Sequence, residues 1–390
     1  MKSLRFVFLL TICLPGAVLA QGVNPASKPV AASYLITNDD LPPKTAATAG
    51  TVFNIASDGT PQNPFKVTLG GSGAAGGYFS ANRVSVLQNS ACAYLSLGSA
   101  GEIGGVDLTL LQDIDNAPGS STDGGGANGI GLVNNGTYLY ASYSTSNTIA
   151  TFSILPGCTL SFLGDISPLG LQSGNVTGMA VHGNMLVVAY GDGSIESFNV
   201  TGGTPVSNGD LQNASGYVKS LFPAGVDITS DGHYAIFGDV STTTTVEVSD
   251  ISSGKLGKTK VYNVSSAGNA TNIFLSPDET LLYITNSDVG KVTAAFFNST
   301  TGKVTAGCTS AKLKGFETNY LYVSSPVTEM NTGTGSLLYV AEFGPVSAIA
   351  MLDVASSGGK CTLTERSTSP IVSPNSTTLL SIGVYPPRQF

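Results

Sequence analysis

One pattern recurs along this chain at intervals of roughly 40 to 50 residues, and it restricts the fold more than any other feature. A short apolar strand runs into a turn made of Asn, Asp or Gly. A second apolar strand carrying a Tyr follows, then a polar turn, a third alternating strand and a weaker fourth. The clearest copy is residues 272–286, with a third strand at 292–297 and Cys308 opening the fourth. Further copies begin near residues 225, 129, 176 and 83, and another spans 320–326, 337–342 and 348–354, where Cys361 opens the outer strand. Residues 32–69 supply a partial copy, and the last strand candidate, 379–385, has no repeat of its own. Period-2 alternation dominates and no window sustains apolar spacing at 3.6, so helices are not expected. Repeats of this length that cannot cover their own apolar faces stack around an axis. The expected fold is all-β: a seven-bladed β-propeller of four-stranded antiparallel blades. The C-terminal strand closes the first blade, because an open ring would leave strand edges exposed.

The N-terminus reads as an export signal. Lys2 and Arg5 precede a short apolar run, Pro15 and Gly16 end it, and Val18 and Ala20 are the small residues at a cleavage site after Ala20. That run is well short of the ~20 residues a membrane span needs, and no later stretch is long and apolar enough. The expected organisation is a signal peptide over 1–20 and a single propeller over 21–390, secreted and extracellular. An oxidising compartment suits the four remaining cysteines, Cys92, Cys158, Cys308 and Cys361. Four cysteines allow three pairings. Cys92 with Cys158 and Cys308 with Cys361 is the pairing favoured, with buried free thiols as the alternative. Eight Asn-x-Ser/Thr sequons fall at Asn135, Asn175, Asn199, Asn213, Asn263, Asn269, Asn298 and Asn375. In an exported chain they predict a glycoprotein.

Without Lys2 and Arg5, fifteen basic residues face 25 acidic ones, a net charge of -10. An acidic surface disfavours nucleic acid and anionic membranes. Only 11 % of residues are charged while 42 % are hydrophobic, enough for a sizeable core and against disorder. A monomer is expected.

The turn Ser276-Pro277-Asp278-Glu279 followed by Leu282-Tyr283-Ile284-Thr285-Asn286 resembles the repeat of lactonase-type seven-bladed propellers, the 6-phosphogluconolactonase-like and carboxymuconate-lactonizing proteins. Thr229-Ser230-Asp231-Gly232 and Leu338-Tyr339-Val340-Ala341-Glu342 echo it. The resemblance implies the propeller, and with it opening or closing of a lactone on a polyanionic substrate by His, Glu and Arg side chains in a central groove. Arg suits that role because its fork binds carboxylate or phosphate through two bonds. The exported chain has three Arg, of which Arg388 lies in the tail, Arg366 lies on an outer strand and only Arg83 precedes an inner strand. No Arg cluster can be carried over from the family.

In a propeller a ligand site lies at one face of the axis, among loops that enter the inner strands and leave the second strands. The second strands end near Tyr143, Tyr190, Asp239, Asn286 and Glu342, with Asp192 and Asp288 in the turns beyond. If these converge, Asp239, Glu342 and Arg83 are the candidate catalytic groups, and Tyr143, Tyr190, Asp192, Asn286 and Asp288 the candidate ligand-binding ones. Such oxygens are of the type Ca²⁺ takes, although no cofactor is required. The plainer alternative is turn-forming Asp and Asn at repeat-equivalent positions. The two His of the exported chain, His182 and His233, sit in hairpin turns at the opposite end. Gly71–Gly76 fits G-x-G-x-x-G in letters only, since a strand and not a helix N-terminus follows. Two functions remain: an extracellular lactonase or lactonizing enzyme, or a non-catalytic protein that binds a small molecule, a glycan or a protein partner on the same scaffold.

Overall fold

A computed structural model describes residues 33–39, 49–70, 82–98, 101–118, 130–143, 146–168, 170–171, 174–214, 223–240, 243–315, 327–331, 336–342, 348–374 and 379–387. The proposed signal peptide, the Gly71–Gly76 segment and Asn375 lie outside them.

Seven antiparallel sheets follow one another in chain order. From the axis outward, blade 2 contains Val84–Val86, Cys92–Leu97, Glu102–Asp107 and Gln112–Pro118. Blade 3 contains Ile130–Asn134, Tyr138–Tyr143, Thr148–Ile154 and Leu160–Ile166. Blade 4 contains Val176–His182, Met185–Tyr190 and Ser194–Asn199, with two short rim strands sharing the outer edge. Blade 5 contains Pro223–Ile228, Tyr234–Val240, Thr244–Asp250 and Lys260–Ser265. Blade 6 contains Asn272–Leu275, Leu281–Asn286, Lys291–Asn298 and Lys303–Thr309. Blade 7 contains Val327–Asn331, Ser336–Glu342 and Ala348–Ser357, edged by Lys360–Glu365 and Ile371–Val372. Blade 1 is made from both ends of the chain. Leu379–Tyr385 is its innermost strand and pairs with Tyr34–Asp39, followed by Ala49–Ile55 and Pro61–Thr68. The expected closure is therefore what the fold uses.

Burial tells the strand ranks apart. Second strands such as Cys92–Leu97 and Leu281–Asn286 are buried along their whole length, because a neighbouring blade covers each face. Outer strands such as Pro61–Thr68 are mostly exposed. The seven described hydrophobic clusters each straddle one pair of adjacent blades. The core is thus a ring of seams, and apolar burial at ~25 cal/mol per Å² acts between blades. Tyr94, Tyr140, Tyr283 and Tyr339, fully buried, fill the seam with the following blade.

The repeat's turn has a physical reason. Ser276 Oγ donates to Asp278 Oδ1 (2.6 Å) and accepts the Leu281 N–H, and Thr229 does the same with Asp231 and Tyr234 in blade 5. The hydroxyl and carboxylate satisfy turn amides that no strand partner reaches.

The expected inner strand of blade 7, 320–326, lies outside the described residues; Val327–Asn331 pairs with the second strand there, Val327 opposite Val340 and Asn331 opposite Ser336. One expectation needs correction. Cys308 lies near the end of its outer strand, Lys303–Thr309, and does not open it. The favoured disulfide pairing is correct: Cys92–Cys158 joins blades 2 and 3, and Cys308–Cys361 joins blades 6 and 7, each with Cα atoms 5.6 Å apart.

Candidate functional site

Each second strand ends on the face where the inner strands begin, here called the upper face. Parity along each strand decides where its last side chain points. Phe237 packs in the seam with blade 4, and Asp239, two residues on, faces the same way. Val340 packs against blade 6, and so Glu342 does too. Tyr143 and Tyr190 lie in the seams with blades 2 and 3. Asn286 Nδ2 donates to Thr244 Oγ1 of blade 5 at 2.9 Å and to the Asn269 carbonyl at 2.6 Å. The equivalent residue of blade 1, Asp39, shares the parity of Leu35 and faces blade 7. The structure therefore does not gather these residues around the axis. Each occupies its own seam with the preceding blade.

Asp239 is 3 % exposed and Glu342 1 %. The Asp239 carboxylate accepts no hydrogen bond among the described residues. Burial, reinforced by Glu247 on the next strand, pushes its pKa up to about 7. Burial, with Glu365 as a second cause, pushes Glu342 up to about 8, while the Gly315 backbone draws it down. A Cβ on Gly315 would overlap the Glu342 carboxylate, so this approach needs glycine. Asp39 is raised to about 6 by burial, against hydrogen bonds from Thr37 and Thr51. Charged forms are disfavoured in all three because burial has removed water; no cation replaces it at Asp239 or Glu342, and Lys66 offsets it only in part at Asp39. Asp39 and Glu247 were missed in the sequence; Asn38-Asp39 ending a strand is the same signal as Gly238-Asp239.

Arg83 is 1 % exposed at the start of the blade 2 inner strand, where its N–H donates to Ser381 Oγ (3.0 Å) in blade 1. It is on the same face as Asp239 and Glu342 but in a different seam. Arg366 is a clasp: it pairs with Asp353 (2.8 Å) in blade 7 and donates to the Asp58 carbonyl (2.7 Å) in blade 1. Asp192 accepts from Ser194 within the turn between the second and third strands of blade 4, and Asp288 accepts the Asn269 N–H and so ties down the connection from blade 5 to blade 6. His182 and His233 sit in the lower-face hairpins, as expected.

The axis itself is a channel of about 210 Å³ lined by the inner strands. Val84, Val86, Leu132, Val181, Ile273, Phe274, Ile382 and Val384 form most of its wall. Three of its polar side chains, Asn134, Ser85 and Asp227, serve the scaffold. Asn134 Nδ2 bonds Ser85 Oγ (2.7 Å) and the Val86 carbonyl, and Asp227 accepts the Leu275 N–H (2.8 Å), each stitching one inner strand to the next. No Lys, Arg or His is among the channel's described lining residues. Residues 84–218, most of blades 2 to 4, carry nine Asp and Glu and no Lys or Arg at all.

No protein-family model matches the sequence, and no curated protein matches it. Solved structures do. A Bacteroides fragilis protein provisionally assigned as a 6-phosphogluconolactonase superposes with a TM-score of 0.68 at 14% identity, over 92% of this chain and 99% of that one. The fold is that of the lactonase-type propellers. The periplasmic gluconolactonase of Pseudomonas aeruginosa gives 0.67 at 13% identity, over 90% and 99%. A chain of the mitotic checkpoint complex gives 0.54 at 12% identity, over 97% and 91%. At these identities the likeness is one of architecture, and the same architecture serves unrelated work.

Proposed function

We propose that this is an exported propeller that acts by binding, and that its axial channel takes one small, neutral, mainly apolar molecule. The observation that carries the reading is the channel wall: aliphatic side chains from successive blades, Asn134, Ser85 and Asp227 committed to strand-to-strand bonds, and no Lys, Arg or His among the described lining residues to hold a phosphate or carboxylate. A cavity of ~150 Å³ lined by apolar side chains suffices for benzene, so this channel has room for a ring of that size with small substituents. Export is supported by the N-terminal signal pattern and by two disulfides. Titration calorimetry against neutral cyclic ketones, alcohols and γ-lactones is expected to find saturable one-site binding. Val181→Trp, which fills the channel, should weaken that binding at least tenfold. Wild-type affinity in Val181→Trp overturns the channel as the site.

A second reading, lactone hydrolysis, is favoured by one observation. Asp239 and Glu342 titrate near neutrality, where a general base works best, and the fold neighbours include a gluconolactonase. It expects turnover of a lactone that Asp239→Asn or Glu342→Gln abolishes. A lactone and muconate panel without turnover from pH 5 to 9 eliminates it.

A further inference from the structure

On the lower face, opposite the ends of the second strands, a groove of about 480 Å³ runs between blades 4 and 5. That size is in the ~300–1,000 Å³ range that encloses a drug-sized ligand. Its walls combine apolar and amide surface: Met185 and the buried Ile251 beside Asn184, Asn199 and Asn208. The Asn184 side chain makes no hydrogen bond among the described residues. Asn208 uses its Nδ2 on Ser197 Oγ (2.8 Å), and its Oδ1 takes none.

Asn199 and Thr201, the two ends of one glycosylation sequon, are both part of this wall. Asn199 Oδ1 accepts the Thr201 N–H at 2.9 Å. That bond fixes the amide plane and leaves Nδ2, the atom that carries a glycan, without a partner on an exposed residue. Three other described sequons differ. Asn263 is exposed on an outer strand, Asn298 ends a third strand, and neither lines this groove. Asn135 spends its Nδ2 on the Gly183 carbonyl (3.2 Å).

We propose that the groove between blades 4 and 5 seats the first sugars of a glycan carried on Asn199. An N-acetylhexosamine presents the matching surfaces: a methyl and an apolar ring face for Met185 and Ile251, and amide and hydroxyl groups for Asn184 and Asn208. Because the sugar is already tethered at the rim, its docking costs none of the translational freedom that a free ligand loses. This rests on the export proposed above.

The test is secretion of the full chain from a glycosylating host and site-by-site mass spectrometry on chymotryptic peptides. A glycan is expected on Asn199. Peptide-N-glycosidase acting on the native protein should release it about tenfold more slowly than the glycan on Asn263. Backbone amides at 183–185 and 252–254 should exchange faster in Asn199→Gln and in Thr201→Ala, but not in Thr201→Ser, which keeps the sequon, nor in Asn263→Gln. Glycans at other sequons with Asn199 bare, or an Asn199 glycan released as fast as that on Asn263, or groove amides indifferent to its loss, each overturn the seat. Absence of glycan at every sequon instead overturns the export on which it rests.

Discussion

Three carboxyls at equivalent strand ends, Asp39, Asp239 and Glu342, are held above their ordinary range by burial. The folded chain binds these protons more tightly than the unfolded chain. Their contribution to stability is therefore complete below the unfolded values, about 4, and is lost as pH rises through about 7 for Asp239 and 8 for Glu342. The protein should be most stable in mild acid. Asp239→Asn and Glu342→Gln replace the buried acid by a neutral isostere. Each should raise Tm by several degrees at pH 8 and leave it nearly unchanged at pH 3.5, as read by calorimetry, since ~1 kcal/mol is worth about 1–2 °C in a chain of this size. A Tm increase of the same size at both pH values would show that packing, not protonation, is responsible. Asp239 and Glu342 were legible as strand ends, because Asp, Asn and Glu close apolar runs at matching places in the repeat. That they occupy separate seams was not, because whether a side chain faces the axis or a seam depends on strand parity against neighbouring blades.

Among elements, the strands and turns were the most legible part. The Ser-x-Asp and Thr-x-Asp hydrogen bonds make the turn a local property, so its letters suffice. In blade 7 the segment 327–331 pairs in register with 336–340, a strand its mixed polar letters do not announce. Cross-links between blades were only partly legible. Cys308–Cys361 depends on Gly307, where a Cβ would overlap the Ala294 carbonyl and come within 3.1 Å of Cys361 Sγ. The disulfides close separations of 66 and 53 residues, which chain-entropy reasoning values at about 4 kcal/mol apiece. The Cys92→Ser/Cys158→Ser double variant should lose about 2–4 kcal/mol in guanidinium denaturation. It should also raise hydrogen exchange in the seam between blades 2 and 3, with the seam between blades 6 and 7 unaffected. Uniform loss across all seams would mean that the ring unfolds only as a whole.

For the whole molecule, the decisive contact is the one between the two chain ends. Leu379–Tyr385 supplies the inner strand of blade 1, and Ile382 and Val384 pack in the seam with blade 7. Deleting residues 379–390 would leave blade 1 with three strands and an unpaired edge beside the axis. That variant should be recovered as aggregate, or as monomer without a cooperative melt, in size-exclusion and circular-dichroism measurements. A soluble, cooperatively melting monomer would show that the ring stands open. The charge distribution is also a property of the whole, since blades 2 to 4 hold most of the net negative charge while Lys and Arg gather on blades 5 to 7.

The sealing strand also leaves the ribosome long after the strand it pairs with. While the blades between them are made, their strands can pair locally, blade by blade, but Tyr34–Asp39 waits for a partner more than 300 residues behind it. A nascent chain with its first edge unclaimed for that long needs shelter until Leu379–Tyr385 emerges. Translation stopped before residue 379 would give a product lacking not a tail but its keystone.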